Sequence, residues 1–217
     1  MARSTSLAKD QLRALARLKA GAAARDFYLA GGTAVAFHLA HRRSLDLDLF
    51  SLTPEVDLDA FRSAARSGDA AIEVIAATDV ALQLRVEGVP VDVVRYPYPL
   101  LEPPDRGPED FPVAGLLDLA TMKMAAIAKR GIRRDFWDLY EIARSGIEIR
   151  SAGDAYRRRF GLAESDLYHV WRSLTYFADA DRDPVFPAGL SHEGWQEIAR
   201  WFQDIAAGLI MPDAPHD

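Results

Sequence analysis

The chain has 217 residues, a formal net charge of −6 and no cysteine. This length is enough for one or two small domains with a hydrophobic core, and the missing cysteine excludes disulfides, thiol catalysis and thiolate metal sites. The acidic balance argues against a wholly basic nucleic-acid coat protein but is compatible with a local basic patch. The sequence shows neither a signal-peptide pattern nor an apolar run approaching about 18 residues, so we expect a soluble cytoplasmic protein without a membrane segment.

Hydrophobic periodicity predicts an α/β arrangement over roughly the first hundred residues. The predicted helices span residues 6–24, 34–40 and 57–66. The predicted strands span residues 27–30, 45–49, 71–77, 81–86 and 89–95. Residues 97–112 contain six prolines and few helix signals, which is typical of a connector.

The remainder of the chain has helical periodicity. The predicted helices span residues 115–130, 134–144, 153–160, 164–178 and 193–209. Residues 121–160 contain ten Lys/Arg against five Asp/Glu, so this segment is locally basic within an acidic protein. Such a patch either binds RNA phosphates or is a solvated set of helix faces.

A glycine pair follows the first predicted strand. Gly31 and Gly32 permit a tight turn, with Thr33 as the N-cap of the next helix. They also permit backbone N–H groups and the positive end of that helix to approach a phosphate. Both interpretations can hold at once.

The next strand, Leu-Asp-Leu-Asp-Leu from Leu45, alternates strictly. Its three leucines are predicted to face the core, and Asp46 and Asp48 to project from the other face. Two carboxylates about 6–7 Å apart, twice the strand rise, repel each other unless a cation lies between them. Hard divalent cations such as Mg²⁺ prefer such oxygen ligands. The alternative is a half-buried strand with its charged face in water.

Several stretches resemble known sequences. Gly31-Gly32-Thr33 followed by Asp46-Leu47-Asp48 resembles the signature of the DNA polymerase β-like nucleotidyltransferase superfamily. More narrowly, the stretches at 29–34, 41–50, 118–123 and 130–140 resemble the AbiEii/AbiGii toxin family of nucleotidyltransferases. The resemblance covers about residues 27–145. It implies a mixed sheet with flanking helices over residues 1–100, and a helical domain over residues 113–217 that completes an active-site cleft.

The resemblance also implies a metal site. The superfamily places a third carboxylate on a strand next to the Asp-x-Asp strand, and Asp92 in Val-Asp-Val-Val is the best-framed candidate. An aspartate buried there alone would be costly, so a metal or an edge position in water would have to satisfy it. Glu73 and Asp79 are the rival candidates. Asp46, Asp48 and Asp92 are therefore expected to hold Mg²⁺ in a two-metal site.

Further residues are expected to bind the nucleotide. Gly31, Gly32 and Thr33 would cradle its phosphates, while Arg43 and Lys123 would contact the triphosphate. Asp135, and more weakly Asp138, would orient Lys123 or the acceptor.

Each of these residues also has a structural alternative. Arg42 and Arg43 fit solvated surface positions equally well. Lys123 can extend along its apolar helix to water, and Asp135 can be a first-turn acid paired with Arg130 or Arg134.

The function implied is Mg²⁺-dependent transfer of a nucleoside monophosphate from an NTP to an acceptor hydroxyl, with release of pyrophosphate. Members of the family act as toxins of toxin–antitoxin and phage-defence systems, so tRNA bound through the basic patch at 129–159 and a cognate antitoxin are the expected partners. Transfer to a protein or to a small molecule such as an antibiotic is the first alternative. A nucleotide-binding or partner-binding module without turnover is the second.

Overall fold

The computed structural model describes residues 7–20, 22–66 and 71–210. The chain divides into two compact units, Met1–Leu119 and Ala120–Asp217. Within the described ranges, none of the helices combines the length and the apolar composition needed to cross a lipid bilayer.

The first unit is built on a mixed β-sheet. Its described residues form seven strands in the order β3-β4-β5-β2-β1-β7-β6. The strands are β1 (Phe27–Ala30), β2 (Leu47–Ser51), β3 (Ile72–Ala77), β4 (Ala81–Val86), β5 (Val89–Val94), β6 (Asp105–Arg106) and β7 (Pro112–Val113). The β2–β5 and β1–β7 pairs are parallel, and the other pairs are antiparallel.

Helices accompany this sheet. They are α1 (Lys9–Ala20), α2 (Gly31–Leu39) and α3 (Leu58–Arg66), with a 3₁₀ turn over Ala22–Asp26. A fourth helix, α4 (Leu116–Lys129), begins in the first unit and continues into the second.

Period-two alternation separates the two faces of the sheet. Leu47 and Leu49 on β2 and Val91 and Val93 on β5 are buried. The residues between them, including Asp48, are half-buried on the opposite face. The sheet therefore has one apolar face and one face that can carry polar chemistry.

The second unit is helical in its described residues. After α4 come α5 (Arg133–Arg144), α6 (Ile149–Phe160), α7 (Leu167–Ser173), α8 (Ala178–Arg182) and α9 (His192–Ile210). The ring of Phe136 lies at its core and contacts Phe177, Trp195 and Phe202 at centroid distances of 5.3, 5.7 and 5.3 Å. These rings link α5 to α9.

The predicted order of an α/β core followed by helices is confirmed, and the predicted bounds of β1 and β4 agree with the structure. The interpretation of residues 97–112 as a plain connector is wrong. This segment supplies β6 and β7, and β7 pairs with β1 through Leu29 and Val113. Pro112 is tolerated because proline can occupy the first position of a strand.

Two helix predictions are also corrected. Residues 164–178 do not form one helix, because α7 ends at Ser173, where the Ser173 and Thr175 hydroxyls donate to main-chain carbonyls three residues earlier. The helix predicted from residue 153 begins earlier, at Ile149. Position 153, inside that helix, is a glycine because the ring of Trp171 occupies the space that a Cβ would need.

Candidate active site

Gly31 and Gly32 lie where β1 ends and α2 begins, and both glycines are in close contact with other residues. Gly31 has φ +62°, in the left-handed region that favours glycine. A Cβ at Gly31 would lie 1.8 Å from Oδ2 of Asp48, and a Cβ at Gly32 would lie 2.3 Å from Nη2 of Arg42. The pair therefore lets the Asp48 carboxylate and the Arg42 guanidinium approach the start of α2.

Thr33 is not an N-cap. The helix begins at Gly31 with Ala30 before it, so Thr33 lies within the first turn of α2. Its buried hydroxyl donates to the main-chain oxygen of Asp46 at 2.5 Å. Thr33 therefore positions the segment that carries the first aspartate.

Asp46 precedes β2 and is braced by two other residues. The Ser44 hydroxyl donates to Oδ1 of Asp46 at 2.9 Å. The side-chain amide of Gln11, from α1, donates to the main-chain oxygens of Ser44 and Asp46 at 3.1 and 3.4 Å. The role of Gln11 was not predicted, since a contact over more than thirty residues of chain leaves no signal in local periodicity. The local contact of Ser44 was not predicted either.

The prediction that Leu45 faces the core is wrong, because its side chain is 79% exposed. Sheet pairing of this strand begins only at Leu47, which lies opposite Val91. Side chains alternate between the two faces of a sheet only where the strand is paired, so the rule does not apply to Leu45.

The three predicted carboxylates are brought together. Asp48 and Asp92 are direct neighbours on the parallel strands β2 and β5. Burial raises the pKa of Asp92 above its usual value, the negative charge of Asp46 raises it further, and a hydrogen bond with the side chain of Gln83 opposes the shift. Asp46 therefore lies close enough for its charge to act on Asp92.

The rival acids lie elsewhere. Glu73 is on β3 at the sheet edge, two strands away from β5, with Oε2 3.9 Å from Nε of Arg85. Asp79 is exposed in the turn between β3 and β4.

Arg42 is the basic side chain against the glycine pair. It also donates from Nη1 to the main-chain oxygen of Arg43 at 3.0 Å, whereas the side chain of Arg43 is exposed. The nucleotide contact expected for Arg43 stays a prediction. Adjacent residues share the same local pattern, so the sequence did not indicate that Arg42 is the arginine against Gly32.

The fit of a divalent cation can be judged from the donor set. Among the residues that the structure describes, no group of three or more His, Cys, Asp and Glu side chains is closed around a common ion position. Asp46, Asp48 and Asp92 nevertheless supply only hard oxygen donors, the type that Mg²⁺ prefers. The charge of Asp46 acts on Asp92, and a cation would relieve that repulsion. The three residues therefore fit a divalent cation chemically.

We expect Gly31→Ala to reduce activity by about 100-fold, because the new methyl group must displace the Asp48 carboxylate and a misplacement of about 1 Å at a reacting centre can cost that much. Gly88→Ala is the matched control. Gly88 also has a positive φ, of +83°, but no described atom lies within 4 Å of its Cβ position. Steady-state rates of both variants test this, and equal losses would show that backbone strain, not the collision, is responsible.

Asp92→Asn should make the metal-free protein melt at a higher temperature near neutral pH. The raised pKa means that the folded state holds the Asp92 proton more tightly than the unfolded chain. The stabilising contribution of Asp92 is thus present below its ordinary pKa of 3.8 and is lost as pH rises through the raised value. The difference in melting temperature between Asp92→Asn and the wild type should therefore become smaller towards pH 4. Thermal melts in EDTA at several pH values test this, and a lower melting temperature at pH 7 would contradict it.

In the second unit, Lys123 is buried in an ion-pair cluster with Asp135, Asp138 and Arg130. Its Nζ lies 3.0 Å from Oδ1 of Asp135 and 2.7 Å from Oδ2 of Asp138. Nε of Arg130 donates to Oδ2 of Asp135 at 2.8 Å. The alternative that Lys123 extends to water is wrong, since it is only 6% exposed. The short connection at Gly131 folds α5 back on α4, and the two aspartates share one face of α5.

This cluster is ionised. Burial alone would lower the pKa of Lys123, but the charges of Asp138 and Asp135 outweigh burial and raise the pKa. Burial alone would raise the pKa of Asp135, but Lys123 and Arg130 outweigh it and lower the pKa. Two positive and two negative side chains therefore balance in a largely buried setting.

The predicted basic patch is smaller at the surface than in the sequence. Lys123, Arg133 and Arg159 are buried. Arg133 donates to the main-chain oxygens of residues 181 and 183, and Arg159 donates to the hydroxyl of Thr121 at 3.0 Å. The exposed basic residues of this segment are Lys129, Arg130, Arg134, Arg144, Arg150 and Arg158.

Comparisons with known proteins agree with this architecture. An uncharacterized protein of Aquifex aeolicus (strain VF5) is 33% identical over 201 residues, which cover 91% of this chain and 94% of the relative. Among solved structures, MenT4, the nucleotidyltransferase toxin Rv2826c from Mycobacterium tuberculosis H37Rv, matches with a TM-score of 0.58. That match covers 93% of this chain and 82% of MenT4 at 17% identity, so it shows the shared fold.

The family itself is identified by sequence. Residues 13–200 match the family described as nucleotidyl transferase AbiEii toxin, type IV toxin–antitoxin system. This span includes the glycine pair, the three carboxylates and the Lys123 cluster. The resemblance drawn from the motifs is confirmed, and the chain belongs to the AbiEii family of nucleotidyltransferase toxins.

Proposed function

We propose that this protein transfers a nucleoside monophosphate from an NTP to an acceptor hydroxyl and releases pyrophosphate. The observation that carries the proposal is the grouping of three carboxylates beside the start of α2. Asp48 and Asp92 are neighbours on one face of the sheet, and Asp46 lies close enough for its charge to act on Asp92. A nucleotidyltransferase needs carboxylates there to bind a cation against the triphosphate. The family's description as a nucleotidyl transferase implies an NTP substrate, and its description as a toxin–antitoxin system implies an antitoxin.

Asp46, Asp48 and Asp92 would hold Mg²⁺, in one or two sites. When bound there, the metal would neutralise charge on the triphosphate and make the acceptor hydroxyl easier to deprotonate. No other type of donor is needed, since carboxylate oxygens together with substrate phosphates and waters commonly complete a magnesium shell.

The chain's own groups would bind the phosphates and move a proton. The first backbone N–H groups of α2, from Gly31 onward, lack intrahelical partners and suit phosphate oxygens. Arg42 adds a positive charge beside Gly32. Asp92, the neighbour of Asp48 on the parallel strand, would accept the proton of the attacking hydroxyl. Thr33 would hold Asp46 in place through its hydrogen bond.

The roles expected for Lys123 at the triphosphate and for Asp135 as a residue that positions it stay predictions from the family resemblance. Within the second unit the Lys123 ammonium is buried and paired with Asp135 and Asp138.

We further propose tRNA as the acceptor and a cognate antitoxin as the protein partner. The toxin–antitoxin description of the family supports the antitoxin. The exposed lysines and arginines of residues 129–158 support an RNA acceptor, because binding to RNA phosphates depends on such charges.

The test is an incubation of purified protein and Mg²⁺ with total tRNA and each α-labelled NTP in turn. We expect label on tRNA with the wild type and none with the Asp46→Asn/Asp48→Asn variant. Label on a protein band instead would show that the acceptor is a protein and not tRNA. NTP binding without any transfer would contradict the proposed activity in favour of a binding module.

A further inference from the structure

Three aromatic side chains form a row that begins on the sheet face of Asp48 and continues beyond the end of β5. Phe50 is two residues beyond Asp48 on β2, so both project from the same face, about 6–7 Å apart along the strand. The ring of Tyr96 lies 4.9 Å from that of Phe50, and the ring of Tyr98 lies 5.3 Å from that of Tyr96. We call Phe50, Tyr96 and Tyr98 the aromatic row.

The two ends of the row differ in exposure. At the inner end, the fully buried ring of Tyr28 stacks on Phe50 at 6.1 Å. Phe50 and Tyr96 are half-buried, and Tyr98 is 38% exposed. The row therefore runs from the core, beside the carboxylates, out to solvent.

The outer part of the row is held by its backbone. Tyr96 and Tyr98 alternate with prolines in Tyr-Pro-Tyr-Pro, and a residue before proline is restricted to extended conformations. The Ser51 hydroxyl accepts a hydrogen bond from the Tyr96 main-chain N–H at 2.8 Å and lies 3.4 Å from its main-chain oxygen. Rings that are ordered in advance lose little conformational freedom when a flat ligand stacks on them.

We propose that the aromatic row stacks a nucleobase next to the carboxylates. This inference rests on the proposed function, because a nucleotide held at Asp46, Asp48 and Asp92 has its base within reach of the same sheet face. The base belongs either to the NTP or to the unpaired end of an RNA acceptor. Stacking accepts any base, since every base has a π-face, so the row contributes affinity rather than a choice of sequence.

The proposal is tested by binding without turnover. The probes are the four α,β-methylene NTPs with Mg²⁺, inorganic tripolyphosphate, a short single-stranded RNA, and the same RNA with abasic terminal nucleotides. Titrations compare the wild type with Tyr98→Ala and Tyr98→Phe. Tyr176→Ala is the matched control, since Tyr176 is an exposed tyrosine of the second unit. Thermal melts verify that each variant is folded.

We expect Tyr98→Ala to weaken binding of a base-containing probe by about five- to tenfold, as for loss of one stacking contact. Tyr98→Phe and Tyr176→Ala should stay within about twofold of the wild type. A loss confined to the methylene NTPs assigns the base to the NTP, and a loss confined to the intact RNA assigns it to the acceptor.

Two results would overturn the proposal. One is unchanged binding of every base-containing probe by Tyr98→Ala. The other is an equal loss for tripolyphosphate, which has no base. Neither depends on catalysis, so a protein that transferred no label but lost base-dependent affinity on Tyr98→Ala would refute the proposed activity and leave the stacking site standing.

Discussion

Asp48→Asn should abolish nucleotide transfer, with a rate loss of about three orders of magnitude, while the protein stays folded. Loss of one group that stabilises charge in a transition state costs about 10²–10³-fold, and the carboxylate would also be lost as a metal ligand. Asparagine keeps the shape of the side chain over Gly31 and can keep its place beside Asp92. The effect should therefore appear in turnover and not in the melting temperature.

Asp79→Asn is the control for this change. Asp79 is an exposed acid of the same unit, in the turn between β3 and β4. The Asp79→Asn protein should transfer label at the wild-type rate. A fully active Asp48→Asn protein, or an equal loss in both variants, would contradict the assignment of the site.

Lys123→Met should lower the free energy of unfolding by about 3–5 kcal/mol, the range found when one partner of a buried ion pair is removed. Methionine fills a similar volume but removes the ammonium from the buried carboxylates of Asp135 and Asp138, while Arg130 still contacts Asp135. Urea unfolding at pH 7 measures the change. The pKa of Asp135 is lowered in the folded protein. Its contribution to the free energy of unfolding is therefore present above its ordinary pKa and is lost as pH falls through the lowered value.

Two controls separate charge balance from packing. Lys129→Met removes an exposed lysine of the same helix and should change stability by less than about 0.5 kcal/mol. Adding Asp138→Asn to Lys123→Met restores the balance between Arg130 and Asp135 and should recover much of the loss. If Lys123→Met proves as mild as Lys129→Met, the buried pair does not hold α4 and α5 together.

The grouping of the carboxylates was predictable from local strand periodicity together with the family resemblance, which placed the third carboxylate on a strand next to β2. Alternation placed Asp48 and Asp92 on the polar faces of their strands, and pairing of β2 with β5 then made them neighbours. The same reasoning failed at Leu45, two residues before the paired strand begins at Leu47, where the rule no longer applies.

The packing around the site was not predictable. The glycine pair suggested a phosphate turn, but the need for Gly31 comes from the Asp48 side chain arriving from another strand. Gln11 holds the segment of Asp46 through long-range contacts that the fold alone creates. In the helical unit, Arg159 belongs to a basic run but is buried against Thr121, since helix packing decides which face of a run is exposed.

The measurement that tests the central claim most directly follows the two ends of the triphosphate separately. Parallel reactions of the protein, Mg²⁺ and total tRNA receive NTP labelled at the α or at the γ phosphorus. Nucleotidyl transfer predicts α label in the RNA and γ label in pyrophosphate, with neither product from the Asp46→Asn/Asp48→Asn variant. Appearance of γ label in the acceptor, or release of free phosphate without transfer, would contradict it.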